Sequence, residues 1–236
     1  MVLLAGFVIG VTLVNIASAA DVLDQKFQII QTGDPSVRPL IGESLPSTGI
    51  VRMVINVDPD GKLADWLLIE SAHTRFAVAA IEAVKEWKYR PAIERGEPIG
   101  VRTELVFNFE MRGQVVSMSC VDTVAMLTQR FSGVQKFVYR GGELDSIPQP
   151  LVMVSPQPVV PLAGSTQQGV LVDFYIDETG RPRMATVDSK GNNDMAISAL
   201  IAIEQWRFTP PMFKRHPVAV RASQWFDFSK AGLAAK

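Results

Sequence analysis

The feature that most constrains the fold of this chain is an internal duplication. Two stretches repeat the same order of residue types, beginning at Gly49 and Gly169 and carrying a tryptophan, Trp87 or Trp206, near the middle. The separation is 120 residues at the glycines and 119 residues at the tryptophans. Solenoid repeats have periods of roughly 20 to 50 residues. A longer and nearly constant separation therefore indicates two copies of one small domain.

Each copy predicts two strands, a helix and a third strand. In the first copy, residues 50–57 alternate between apolar and polar side chains, and a Pro-Asp-Gly turn leads into residues 63–71, which predicts a β-hairpin. Residues 74–87 carry an apolar stripe that predicts a helix, ended by Pro91. Residues 101–111 alternate again. The predicted fold class is α+β, with two ββαβ units in which one helix lies across a three-stranded antiparallel sheet.

The second copy repeats this order after a connecting stretch. Its predicted elements are strands at residues 170–176, 184–189 and 218–228 and a helix at residues 194–206. Between the copies, residues 121–131 have helical apolar spacing, and residues 136–140 predict a short strand before several prolines. The predicted organisation is residues 1–20, a first domain at 21–111, a helix with a proline-containing connection at 112–160, a second domain at 161–230 and a tail at 231–236.

The first twenty residues contain no charged side chain. They include an apolar run followed by Ala17-Ser18-Ala19, which is typical of a signal peptide cleaved after Ala19 or Ala20. The alternative is an uncleaved membrane anchor, since the run approaches the roughly 20 residues that span a bilayer. Both interpretations carry residues 21–236 across a membrane. The single cysteine, Cys120, excludes an internal disulfide and is compatible with an oxidising compartment.

Composition argues against nucleic-acid binding and against catalysis. The chain has 23 Lys+Arg and 24 Asp+Glu, so it lacks the basic excess that is typical of nucleic-acid-binding proteins. One cysteine and two histidines, His73 and His216, leave too few ligands for a typical metal cluster. Ser71 and His73 lie too close along one strand end to act as nucleophile and base. We therefore predict no cofactor, no metal, no catalytic residue and no enzymatic activity.

The repeated residues resemble the C-terminal domain of TonB proteins. In the first copy they are Gly49, Val51, Val57, Gly61, Ser71, Trp87, Tyr89, Pro91, Gly96, Pro98 and Phe109. In the second copy they are Gly169, Leu171, Ile176, Gly180, Ser189, Trp206, Phe208, Pro210, Pro217 and Phe228. The second copy departs from the pattern at Arg215, which replaces Gly96.

The resemblance implies a Gram-negative envelope protein whose domains capture an extended partner segment by strand addition. An exposed sheet edge offers unpaired N–H and C=O groups for this purpose. On that analogy, the last strand of each copy is the expected edge. The candidate partner-binding residues are Val101, Thr103, Leu105, Phe107, Val218, Val220, Ala222 and Gln224. The expected structural core anchors are Trp87, Pro91, Trp206 and Pro210.

The sequence therefore predicts a periplasmic, non-enzymatic protein-binding module. The expected partner is an envelope protein, such as an outer-membrane receptor, or a second copy of the chain, and membrane contact is expected only if residues 1–20 stay uncleaved. One alternative is an energy transducer with a single N-terminal anchor in the inner membrane, facing the periplasm. Residues 1–20 lack the histidine of such anchors, and the spacer before Gly49 is short. The other alternative is a structural envelope protein.

Overall fold

A computed structural model describes residues 10–14, 23–33, 35–37, 48–110, 134–159, 168–187 and 193–229. The chain forms two compact units whose boundary lies between Lys136 and Phe137. Each unit contains one copy of the repeat. The predicted helix at residues 121–131, the tail at residues 231–236 and most of residues 1–20 lie outside the described residues.

The first unit is built on a five-stranded antiparallel sheet. Its elements in chain order are β1 (Gly10–Val14), β2 (Leu23–Gln25), β3 (Gln28–Gln31), β4 (Thr48–Val57), β5 (Leu63–Ser71), α1 (Thr74–Glu86), β6 (Lys88–Arg90), β7 (Ala92–Glu94), β8 (Glu97–Ile99), β9 (Val101–Glu110) and β10 (Gln135–Lys136). The strand order in the main sheet is β1-β9-β4-β5-β10. The predicted hairpin and third strand are thus confirmed as β4, β5 and β9.

The inward-facing residues of the strands and the apolar stripe of α1 pack together in one core. Every second residue of β4 from Val51 to Val57 is fully buried. Phe76 of α1 stacks on Phe109 of β9 with ring centroids 4.6 Å apart, and Trp87 lies 5.4 Å from Phe107. Burial of such aromatic side chains stabilises a domain by about 1.5–3 kcal/mol each. The helix therefore covers one face of the sheet, as predicted.

The second unit repeats this arrangement. Its elements are β11 (Val138–Tyr139), a single 3₁₀ turn (Gly141–Glu143), β12 (Pro150–Val152), β13 (Gly169–Ile176), β14 (Pro182–Val187), α2 (Asn193–Glu204), β15 (Arg207–Phe208), β16 (Met212–Phe213), β17 (His216–Pro217) and β18 (Ala219–Asp227). The main sheet has the order β11-β18-β13-β14, in which β11 runs parallel to β18. The α+β fold class with two copies of one unit is confirmed.

Several short strands follow each helix and were not predicted. β6 pairs with β3, and β15 pairs with β12, so an extended segment that precedes each copy joins the strand after its helix. The pairs β7–β8 and β16–β17 form small hairpins. Because β6 lies between α1 and Pro91, the prediction that Pro91 ends the helix is wrong; the helix ends at Glu86. The strand predicted at residues 136–140 is divided into β10 and β11.

The four predicted core anchors do not have the same environment. Trp87 and Trp206 are 5% and 7% exposed. Pro91 is half-buried, whereas Pro210 is exposed and is not a core residue. Proline at this position fixes the backbone after the strand rather than filling the core. Of the four predicted anchors, only the two tryptophans are buried.

Candidate strand-addition edges

The backbone hydrogen bonds decide which residues of β18 face the outer edge of its sheet. Phe228 donates its N–H to the carbonyl of Gln168 with an N···O distance of 2.7 Å, so the backbone of Phe228 faces β13. The register between β13 and β18 is continuous, and backbone groups alternate in direction along an antiparallel strand. The N–H and C=O groups of Arg221, Ser223 and Trp225 therefore face away from β13.

Among the described residues, a strand covers the outer edge of β18 only at its start. β11 pairs with Ala219 and Val220. In the part of the chain that the structure describes, no strand pairs with residues 221–225 on this side. The side-chain amide of Gln224 donates to the Trp225 carbonyl at 2.8 Å, which occupies one outward acceptor locally. The remaining edge presents main-chain groups in the arrangement that an added strand requires.

The corresponding edge of the first unit already carries a strand. The Ile50 carbonyl accepts a hydrogen bond from the N–H of Ala72 at 2.9 Å, so even-numbered residues of β4 face β5 and odd-numbered residues face β9. Through the continuous β4–β9 register, the backbone groups of Glu104 and Val106 point away from β4. They meet β1, in which Val14 lies opposite Glu104 and Thr12 opposite Val106.

The predicted binding residues other than Val218 lie on β9 and β18, but mostly at positions that face inward. The side chains of Thr103, Leu105, Phe107 and Val220 are buried. The backbone groups of the odd-numbered residues of β9, which include Val101, point toward β4, and those of Ala222 and Gln224 point toward β13. Val218 precedes β18 and donates its N–H to the Pro211 carbonyl at 2.9 Å. Alternation identified the core face of each strand, while the outer-edge groups belong to the intervening residues.

Trp225 is a candidate residue that the sequence analysis missed. It lies on the helix-free face of the second sheet and is 56% exposed, opposite Leu171, which is 41% exposed. A Cβ added at Gly169 would lie 2.6 Å from the Trp225 ring, so the absence of a side chain there allows the ring to lie over the strand. In the sequence, Trp225 lies on the polar side of an alternating strand, and a tryptophan at such a position could have indicated a binding surface.

The family assignment agrees with the two sheets. The family model described as the Gram-negative bacterial TonB protein C-terminal matches residues 44–111 and 165–229, which together make up more than half of the chain. The chain belongs to the TonB C-terminal family. The two matched stretches coincide with the two β-sheet and helix units, so the TonB C-terminal domain is present in tandem. No curated protein and no solved structure matches the chain.

TonB C-terminal domains are non-enzymatic protein-interaction domains of the Gram-negative envelope, and they interact with envelope proteins such as outer-membrane receptors. Among the described residues, no helix is long and apolar enough to cross a membrane. Those residues also contain no cluster of three His, Cys, Asp or Glu side chains that could hold a metal ion.

In the first TonB C-terminal domain, Ser71 and His73 stabilise a helix start. The Ser71 hydroxyl donates to the His73 carbonyl at 2.7 Å, and His73 Nδ1 accepts the N–H of Arg75 at 3.2 Å as the N-cap of α1. The bond from Arg75 satisfies one of the N–H groups that the start of a helix leaves unpaired. The Ser71 hydroxyl and the His73 ring are not joined by a hydrogen bond of the kind that activates a nucleophile.

Charged side chains on the helix-free face hold neighbouring strands together. Arg52 donates from Nε to Glu104 at 2.7 Å and from Nη1 to Glu70 at 3.3 Å, which links β4 to β9 and β5. The hydrogen bond to Glu104 raises the pKa of Arg52. In the second domain, Arg221 lies 3.8 Å from Asp173 across β18 and β13. Each arginine thus lies against carboxylates of the neighbouring strands.

Each TonB C-terminal domain also has a groove between its helix and the segment that precedes it. The groove in the second domain has a volume of about 250 Å³ and is lined by Val154, Gln157, Ile197 and Ile201, among others. The equivalent groove in the first domain is larger, about 890 Å³, and is lined by Arg75, Glu82 and other residues. The two domains therefore differ in the polarity of this surface.

Proposed function

We propose that this chain is a non-enzymatic periplasmic protein-binding module whose second TonB C-terminal domain captures an extended segment of an envelope protein by strand addition to β18. The observation that carries the proposal is the outer edge at residues 221–225, against which the structure describes no strand. Main-chain hydrogen bonds from such an edge supply affinity without requiring a particular partner sequence. The family supports an envelope partner such as an outer-membrane receptor.

The first domain supplies an internal precedent for this mode of binding. There, five residues of the same chain pair antiparallel with β9 at the equivalent place in the fold. Strand pairing at this edge is therefore compatible with the helix packing and with the register of the inner strands. The same geometry on β18 would accept a segment of similar length.

Trp225 would add side-chain contacts to this backbone recognition. A strand laid against β18 places every second side chain on the helix-free face, at cross-strand distance from Trp225. An apolar side chain at that place would cover the exposed ring, and an aromatic one would gain roughly 0.5–1.5 kcal/mol beyond its area burial. We therefore expect the captured segment to carry an apolar side chain opposite Trp225.

Site-specific photo-crosslinking in Gram-negative cells tests this function. A photoreactive residue at Ser223 lies on the outer edge of β18, and one at Glu178, exposed in the β13–β14 turn, serves as the matched control. We expect adducts of discrete mass from position 223 and none from position 178. Mass spectrometry then distinguishes an envelope protein from a second copy of this chain. Equal crosslinking at the two positions would refute capture at β18.

A further inference from the structure

Segment Gly10–Val14 has a defined place in the first domain. It forms β1 and pairs with the middle of β9, from Gly10 opposite Asn108 to Val14 opposite Glu104. Backbone direction in β9 makes Thr12 and Val106 a hydrogen-bonded pair, because even-numbered residues of β9 face away from β4. The segment thus engages the main-chain groups that strand addition uses.

The two domains consequently differ in the state of equivalent edges. Val106 of β9 corresponds to Trp225 of β18, 119 residues further along the chain. The edge at Val106 is paired, whereas the structure describes no strand against the edge at residues 221–225. In the described part of the chain, two domains with one fold therefore present one paired edge and one edge without an added strand.

We propose that residues Gly10–Val14 act as an intramolecular plug that closes the first domain's edge until the N-terminal segment is removed or displaced. In the full-length chain, strand capture is then confined to the second domain; this last statement alone rests on the proposed function. The plug lies in the uncharged stretch predicted to be cleaved after Ala19 or Ala20, so cleavage would delete the whole of β1. The processed chain would carry two open edges.

A tethered plug excludes weak competitors. A segment that belongs to the same chain competes intramolecularly, at an effective concentration on the order of millimolar. An added peptide must exceed that concentration, or bind β9 more tightly than residues 10–14 do, before it enters. Closing an edge in this way also suppresses edge-to-edge association between chains.

Amide hydrogen exchange of the full-length chain tests the plug without any partner. The decisive probes are the N–H groups of Glu104 and Val106, which face β1, with those of Leu105 and Phe107, which face β4, as internal references. Thr12→Pro removes an N–H that faces β9, whereas Leu13→Pro, the matched control, removes one that faces away. We expect Thr12→Pro to accelerate amide exchange at Glu104 and Val106 at least about tenfold while the reference amides stay protected. The acceleration caused by Leu13→Pro should be smaller.

The processed chain that begins at Asp21 provides a second measurement. We expect it to show the same fast exchange at Glu104 and Val106, and a synthetic peptide of residues 8–16 to restore protection. Equal protection of these two amides in the full-length chain, in Thr12→Pro and in the processed chain would overturn the plug. Because this exchange experiment contains no partner protein, its outcome does not depend on whether β18 captures a partner segment.

Discussion

The indole nitrogen of Trp206 lies 2.8 Å from the carbonyl oxygen of Val154, to which it donates a hydrogen bond. The equivalent tryptophan, Trp87, donates to the carbonyl of Gly33 at 2.9 Å. Each tryptophan therefore joins the end of its helix to the extended segment that precedes its domain. The duplicated unit includes that segment as well as the ββαβ pattern. Each tryptophan ring also lies near a phenylalanine of the last strand of its own domain, Phe107 or Phe226.

The first prediction concerns this hydrogen bond. Trp206→Phe keeps an aromatic ring beside Phe226 but removes the donor, so the Val154 carbonyl loses its partner. Leaving a part-buried acceptor unpaired costs roughly 1–3 kcal/mol. We expect a loss of about 2 kcal/mol in the free energy of unfolding, measured by urea denaturation. Trp225→Phe, at an exposed position, is the control and is expected to change the value by less than about 0.5 kcal/mol.

The second prediction concerns a buried hydroxyl. Thr103 is 1% exposed, and its Oγ1 has no hydrogen-bond partner among the described residues. The second domain has Ala222 at the equivalent position, which shows that no hydroxyl is required. Thr103→Val should raise the free energy of unfolding by about 1 kcal/mol, because it removes an unpaired polar group at nearly constant volume.

Thr103→Ser is the matched control, since it keeps the hydroxyl and loses a methyl group. We expect it to destabilise the protein. A lower melting temperature for Thr103→Val than for the parent chain would mean that the hydroxyl has a partner after all.

The third prediction concerns the turn between β16 and β17. Arg215 has a φ of +66°, whereas the equivalent residue of the first domain is Gly96, with a φ of +83°. A left-handed backbone conformation costs a non-glycine residue roughly 1–2 kcal/mol. Glycine avoids this cost, but its greater conformational entropy in the unfolded state offsets part of the gain. Arg215→Gly should therefore raise the free energy of unfolding by about 0.5–1 kcal/mol, measured by thermal denaturation.

The backbone N–H of Arg215 donates to Asp145 at 2.8 Å, and glycine preserves that bond. Arg215→Ala, which lacks the guanidinium but keeps the Cβ, should show no such gain. If alanine stabilises the turn as much as glycine does, the guanidinium rather than the backbone conformation is responsible.

The fourth prediction concerns pH. Burial alone would raise the pKa of Asp177, but hydrogen bonds from the Thr179 hydroxyl and from the N–H groups of Arg181 and Thr179 outweigh it and lower the pKa. Because the folded pKa lies below the unfolded value of about 3.9, ionised Asp177 stabilises the fold above that pH, and the contribution is lost as pH falls through the folded pKa.

The stability difference between the parent chain and Asp177→Asn should therefore be largest above about pH 5 and shrink below about pH 4. Denaturant unfolding between pH 2 and pH 7 measures it. Glu178→Gln, next in the chain and outside this set of hydrogen bonds, is the control. A difference that stays constant over the whole pH range would exclude the charge of Asp177 as its source.

The sequence predicts the main elements of the fold because burial imposes periodicity. Residues 63–71 form a strand with the predicted bounds, and the helix predicted over residues 74–87 ends one residue earlier. Strands of two or three residues, such as β15, contain no period and come from pairing with distant segments. Neither alternation nor helical spacing could predict them.

The candidate site is less accessible to sequence reasoning. Alternation reports which side chains are buried, whereas the edge groups that an added strand would meet are set by hydrogen-bond direction. Val220, which was a predicted binding residue, is buried and its main-chain groups face β13. The outward main-chain groups belong to its exposed neighbour Arg221. An uncharged N-terminal run likewise predicts a leader or an anchor, and its local pattern does not indicate the pairing of β1 with β9.

The measurement that tests the central claim most directly is the affinity of the crosslinked partner segment for two variants at one residue. Ser223→Pro removes an outward N–H of β18 and leaves the inner ladder with β13 intact, whereas Ser223→Ala keeps the N–H. With both variants shown to be folded by circular dichroism, we predict at least about tenfold weaker binding by Ser223→Pro and unchanged binding by Ser223→Ala. Equal affinity of the two variants would contradict strand addition at β18.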